Sequence, residues 1–128
     1  MSCLNAAEAL AKSGINARVI DPFTVKPLDV KLIIEHGNPC GGRVVVVENH
    51  YQQGGLGEAV LSVLAEQRNF VVKHLYVPQC HIPVHPPFID MFGVSAKRVI
   101  NAAEASVQNS ATNNILHLHL FLLLLRIF

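Results

Sequence analysis

A carboxylate and an imidazole stand close together at the end of the most apolar run of the chain, just before a glycine-rich turn. Glu48 and His50 carry side chains suited to general acid-base chemistry, and they follow a predicted parallel strand, where α/β sheets bind ligands. The turn Gly54–Gly57, with the sequence GGLG, precedes a predicted helix whose first amides can hold an anion. One hypothesis is therefore a free-standing α/β domain that binds an anionic small molecule at Glu48, His50 and Gly54–Gly57.

The same residues also have a structural interpretation. The GGLG turn matches neither GxGxxG nor GxxxxGK[ST], and no Lys or Ser/Thr follows it directly to hold a phosphate or a magnesium ion. No recognisable nucleophile elbow places a Ser or Cys near Glu48. In this interpretation, which the residues favour, Glu48 and His50 hydrogen-bond loop amides and orient the turn.

Metal binding is the other chemistry that the composition invites. Cys80, His81 and His85 lie in one proline-rich loop, but a closed zinc site needs four convergent ligands and the sequence places at most three together. Cys3, Cys40 and Cys80 are odd in number and contain no CxxC, which argues against a disulfide framework and favours a reducing, cytoplasmic setting. We expect no metal site.

The elements that must position these residues follow from hydrophobic periodicity. Val44–Val47 shows no alternation, as expected of a strand buried on both faces of a parallel sheet. Further strands are predicted at 17–20 and 70–77, and helices at 5–13, 28–36, 56–67, 88–92 and 95–107, the last capped by Ser95. This order predicts an α/β fold, a three-layer α/β/α sandwich on a mostly parallel, Rossmann-like sheet.

Composition limits the function classes. The 128 residues fit one domain, and a net charge of +1 supplies no broad field for nucleic acid or an acidic membrane. Charged residues make up only 15% of the chain, against about 25% in typical soluble domains, so part of the surface is expected to face a partner. The amino terminus lacks the basic start and apolar core of a secretory signal.

The character of the chain changes at residue 108. A polar stretch leads into an apolar one, and residues 115–128 as a helix would span only about 21 Å, short of the roughly 30 Å of a bilayer core, so no membrane span is predicted. Leu120–Leu125 has the profile of an aggregation-prone segment or of a helix held in a groove. We expect residues 1–107 to form the domain and residues 108–128 to be an apolar, poorly ordered tail; a membrane or partner anchor is the weaker alternative for this tail.

Three motifs together carry a family resemblance. The runs ENHYQQGGLGEAV (Glu48–Val60), DPFTVKPLD (Asp21–Asp29) and DMFGVSA (Asp90–Ala96) resemble the carboxy-terminal domain of transketolase, and the resemblance extends over about residues 4–105. It implies a strand before the first helix that this sequence does not contain. We therefore expect either an unpaired slot in the sheet or a fragment of a longer protein.

The resemblance also implies a function. Transketolases are thiamine diphosphate enzymes of the pentose phosphate pathway that move a two-carbon ketol unit between sugar phosphates. Their diphosphate and magnesium are held by an amino-terminal domain and the pyrimidine ring by a middle domain. No catalytic, cofactor-binding or metal residue of the family has a matching position here. The resemblance thus predicts a structural, dimer-supporting module, inactive alone and binding no cofactor itself, whose partners are the remaining transketolase domains or a second copy.

Overall fold

The fold is built on a four-stranded sheet in which each neighbouring pair of strands is parallel. The computed structural model describes residues 2–79, 94–108 and the backbone of residues 119–125. The elements in chain order are α1 (Ser2–Lys12), β1 (Asn16–Ile20), α2 (Val30–Gly37), a 3-10 turn (Asn38–Cys40), β2 (Arg43–Glu48), α3 (Leu56–Leu64), β3 (Val71–Leu75), α4 (Ala96–Gln108) and β4 (His119–Leu125). The strands lie in the order β1-β4-β2-β3.

Helices cover both faces of this sheet. Successive residues of a strand point to opposite faces, so Val45 and Val47 pack against α1 and α4, whereas Val44 and Val46 pack against α2 and α3. All four valines are buried because each face is covered by helices and both edges of β2 are paired. This arrangement confirms the predicted three-layer α/β/α sandwich and explains why the valine run does not alternate.

Local signals set the helix ends. The side chain of Asp29 accepts a hydrogen bond from the backbone N–H of Leu32, at 3.0 Å, and so caps α2. Ser95 Oγ accepts one from the N–H of Arg98, at 3.4 Å, which confirms the predicted cap of α4. The four predicted helices that fall on described residues agree with the observed ones to within about one turn. The helix predicted at 88–92 lies outside the described residues.

The tail requires a correction. The sequence predicts a poorly ordered segment at 108–128, but His119–Leu125 forms β4 in the interior of the sheet, between β1 and β2. The physical reason is that β1 and β2 pair both edges of this segment, so that its central backbone groups find partners on both sides. In the described sheet, β1 and β2 are therefore both paired to β4, and no gap separates them.

Candidate functional site

Glu48 ends β2 and is fully buried, with 0% of its surface exposed. Its carboxylate accepts hydrogen bonds from the backbone N–H of Leu56, at 2.7 Å, and from that of Gly57, at 3.0 Å. These are the first two amides of α3, whose N-cap Gly55 has no side chain to offer. A carboxylate from the neighbouring strand therefore does the work of a cap, with the favourable end of the helix dipole in front of it.

His74 completes the cluster from β3. Its Nε2 is hydrogen-bonded to Glu48 Oε1, and its side chain is only 8% exposed. The imidazole also packs against the ring of Tyr76, with centroids 4.9 Å apart. The Glu48 carboxylate thus has three donors, two backbone amides and one imidazole, and each is supplied by the chain itself.

Two of the glycines in GGLG are required by this cluster. A Cβ at position 55 would collide with the Glu48 carboxylate, and one at position 57 would collide with the His74 imidazole. Gly54 has a φ of +78°, in the left-handed region, and its N–H donates to Glu58 Oε2 at 2.5 Å. The glycine pattern that invites a phosphate interpretation is therefore explained by the close approach of the protein's own side chains.

The structure confirms the structural interpretation for Glu48 but not for His50. Glu48 hydrogen-bonds loop amides and orients the turn, so the structural interpretation is confirmed for this residue. His50 makes a different contact: its Nδ1 donates to the carbonyl oxygen of Tyr51, at 3.0 Å, and not to a loop amide. Sequence reasoning missed His74 as the partner of Glu48. The available signal was that His74 stands on the same strand face as Val72 and Tyr76, an inward-facing imidazole on a predicted neighbouring strand.

The buried thiols are not nucleophiles. Cys3 and Cys40 are buried and unpaired. Burial, assisted by the nearby charge of Asp21, raises the pKa of the Cys3 thiol to about 11, and burial also raises the pKa of Cys40. Both therefore stay protonated at neutral pH, whereas the thiolate is the reactive form.

Metal ligation receives no support from the part of the chain that the structure describes, where no three His, Cys, Asp or Glu side chains converge. Cys80, His81 and His85 lie outside those residues. The magnesium and diphosphate that the resemblance implies also do not fit the described residues, because the Glu48 carboxylate already occupies the first amides of α3.

A second candidate surface lies at the carboxyl end of β1. The loop 21–29 and the start of α2 enclose an open cavity of about 200 Å³. Phe23, at its rim, is 100% exposed, while Thr24 Oγ1 donates to the carbonyl oxygen of Pro27, at 2.7 Å, and fixes the turn. A fully exposed aromatic ring beside a cavity of mixed lining, in which Leu28, Leu32 and Ile33 stand with Asp21 and Asp29, fits contact with another protein surface better than chemistry.

These observations define a class of protein: an α/β sandwich whose buried carboxylate cluster fixes its own glycine turn and whose loop 21–29 exposes an aromatic ring beside an open cavity. The chain matches the model of the family described as "Transketolase, C-terminal domain" over residues 1–99. It belongs to that family.

Relatives and a solved structure agree with this assignment. The chain is 46% identical over 102 residues to transketolase-like protein 1 of Bos taurus, which covers 79% of the chain and 17% of that protein. It is 41% identical over 107 residues to transketolase of Homo sapiens, covering 81% of the chain and 17% of the relative. It is also similar to the solved structure "Split gene transketolase, inactive beta4 tetramer", with a TM-score of 0.72 and 34% identity over 84% of this chain and 34% of that one.

The match is a partial one. The chain spans about a sixth of the length of these curated relatives. In the described part of the chain, every helix is too short or too polar to cross a bilayer.

Proposed function

We propose that this chain is the carboxy-terminal, structural and dimer-supporting domain of a thiamine diphosphate-dependent transketolase, and that it is not catalytic by itself. The observation that carries the proposal is the closed cluster of Glu48, His74 and the start of α3. The residues best suited to chemistry are used to hold the turn in place. What remains at this end of the sheet is a surface for contact, not a reaction centre.

In this proposal the parent enzyme transfers a two-carbon ketol unit between sugar phosphates in the cytoplasm. Thiamine diphosphate and magnesium are bound by the other domains, and no step of the reaction is assigned to a residue of this chain. The role of the domain is to bury surface against the rest of the enzyme and its dimer partner.

Exposed apolar side chains support a contact role. Phe23 carries this argument, because its ring is 100% exposed beside the cavity at the loop 21–29. The low share of charged residues points the same way, because interface cores are depleted in charge.

The anion-binding alternative is not favoured by the geometry. A ligand at the start of α3 would have to displace the Glu48 carboxylate from Leu56 and Gly57 or bind beside a second negative charge. The N–H of Gly54 is likewise taken by Glu58. We therefore propose no second function for this turn.

Reconstitution tests the proposal. The chain is assayed for ketol transfer with thiamine diphosphate and magnesium, alone and mixed with a separately expressed fragment that carries the amino-terminal and middle domains of human transketolase. We expect no activity from the chain alone, and a complex on size-exclusion chromatography whose activity or thermal stability exceeds that of the fragment. Activity of the chain alone, or no complex with the fragment, would contradict the proposal.

A further inference from the structure

The strand β4 is paired along both of its edges. Residues Asn16–Ile20 of β1 are in register with His119–Leu123, and residues Val44–Glu48 of β2 are in register with Phe121–Leu125. The central part of β4, residues 121–123, is therefore paired on both sides at once. An interior strand of this kind satisfies backbone groups on both of its neighbours.

The position of β4 demands apolar residues on both faces. In β1, Ala17 and Val19 pack against the cluster of α1 and α4, whereas Ile20 packs against the cluster of α2 and α3. In β2, the valines divide between the same two clusters. A strand lying between β1 and β2 is thus sandwiched between two helical layers, where alternation of apolar and polar residues would bury polar groups.

The sequence of the tail fits this demand. Leu120–Leu125 is uncharged, contains no proline and does not alternate. Neighbouring strands lie about 4.8 Å apart, so β1 and β2 are separated by about 10 Å across β4. Without an occupant, that cleft would leave two unpaired strand edges facing each other in the interior of the sheet.

Backbone pairing links β4 to its two neighbours in the sheet. Among the described residues, β1 and β2 each pair with β4 and not with each other. A peptide of the same sequence can form the same two parallel ladders.

We propose that the cleft between β1 and β2 is a binding site for one parallel β-strand that is apolar on both faces. Residues 119–125 of this chain fill it in cis, and a peptide of the same sequence supplied in trans takes their place when they cannot pair. This inference does not depend on the proposed transketolase function, because it follows from register and layering alone.

Hydrogen exchange on the full, unsubstituted chain tests the occupancy directly. We expect the amides of residues 121–124, like those of Val44–Val47, to exchange at least about a thousand-fold more slowly than in an unfolded chain. The reason is that hydrogen bonds between interior strands break only when the core unfolds. Exchange of residues 121–124 at the unfolded rate, with Val44–Val47 protected, would overturn the proposal.

Replacement is tested in the full chain with Leu122→Pro, which removes a ladder N–H at the doubly paired centre of β4. We expect its Tm to fall by at least about 10 °C, whereas Leu122→Val, which keeps the N–H, should stay within a few degrees. The probe is a fluorescein-labelled peptide of residues 117–126 preceded by lysines for solubility. It should bind the proline variant at one per chain and raise its Tm, but not bind the unsubstituted chain.

A peptide that itself carries Leu122→Pro is the matched control for non-specific apolar binding, and it should neither bind nor stabilise. A proline variant that melts like the unsubstituted chain would show that β4 is not in the sheet. A destabilised variant that the unsubstituted peptide fails to bind would overturn replacement in trans.

Discussion

The turns that follow β1 and β2 lie at the same edge of the sheet, but one is closed by buried contacts and the other is open to solvent. After β2, the Glu48 carboxylate, the His74 imidazole and the first amides of α3 close on one another with almost no exposure. After β1, a proline-containing loop leaves Phe23 fully exposed beside an open cavity. The Gly54–Gly57 turn, which resembles a ligand site, is therefore occupied by the protein's own side chains. The loop 21–29, by contrast, exposes a side chain that can contact another protein.

The largest expected effect is at the closed turn. Glu48→Ala leaves two helix amides and a buried imidazole without their acceptor, and we expect a loss of about 3–5 kcal/mol in the free energy of unfolding. Urea denaturation measures it. Glu66→Ala, at an exposed carboxylate in the same chain, is the matched control and should change stability by no more than about 0.5 kcal/mol.

A loss below about 1 kcal/mol from Glu48→Ala, close to that of an ordinary surface substitution, would contradict the structural role of this carboxylate. Stabilisation of the unsubstituted chain by millimolar inorganic phosphate would also contradict it, because the start of α3 would then be available to an external anion.

The next largest effect is the loss of stability at alkaline pH that we expect from the buried Cys3 thiol in α1. Because the folded-state pKa of Cys3 is raised to about 11 from the ordinary value of 9.0, its contribution to stability is complete below pH 9 and is lost as the pH rises to 11. The shift corresponds to about 2–3 kcal/mol over that window. Unfolding of the chain and of Cys3→Ala is compared at each pH, so that other alkaline titrations cancel. Parallel pH profiles of the two proteins would refute the assignment.

Two glycine substitutions are expected to cost less stability, one through a steric contact and the other through backbone strain. Gly57→Ala places a Cβ against the His74 imidazole, and we expect it to cost about 1–3 kcal/mol, as overpacking does. Gly14→Ala meets open space and pays only for its φ of +82°, about 1 kcal/mol.

A double-mutant cycle with His74→Ala sharpens this prediction. Because the alanine at position 74 removes the ring that the new Cβ meets, the added cost of Gly57→Ala should shrink in that background. Additive losses would mean that position 57 is limited by something other than His74.

The smallest effect on stability is expected at the open turn. Phe23→Ser removes a fully exposed ring and should change the free energy of unfolding by no more than about 0.5 kcal/mol. The same variant should weaken the complex with the amino-terminal and middle domains of human transketolase, measured by size-exclusion chromatography or calorimetry. A large loss of stability, or unchanged binding, would contradict the assignment of this loop as a contact surface.

Local patterns in the sequence were sufficient for much of this protein. The unbroken Val44–Val47 run determined a strand buried on both faces, because a parallel sheet between helices has no polar side. The Ser95 cap and the apolar spacing of α3 determined helices whose bounds agree to within about a turn. The structural role of Glu48 was also predictable, since GGLG lacks the residues that hold a phosphate.

Two features were decided only by the tertiary structure. The partner of Glu48 is His74, on another strand and 26 residues away in the chain, and not His50 beside it. The apolar segment 119–125 is an interior strand between β1 and β2, although periodicity alone could not separate that fate from a groove-bound helix or a disordered tail. The physical reason is common to both: periodicity reports which residues are apolar, whereas pairing depends on which distant segments the fold brings side by side.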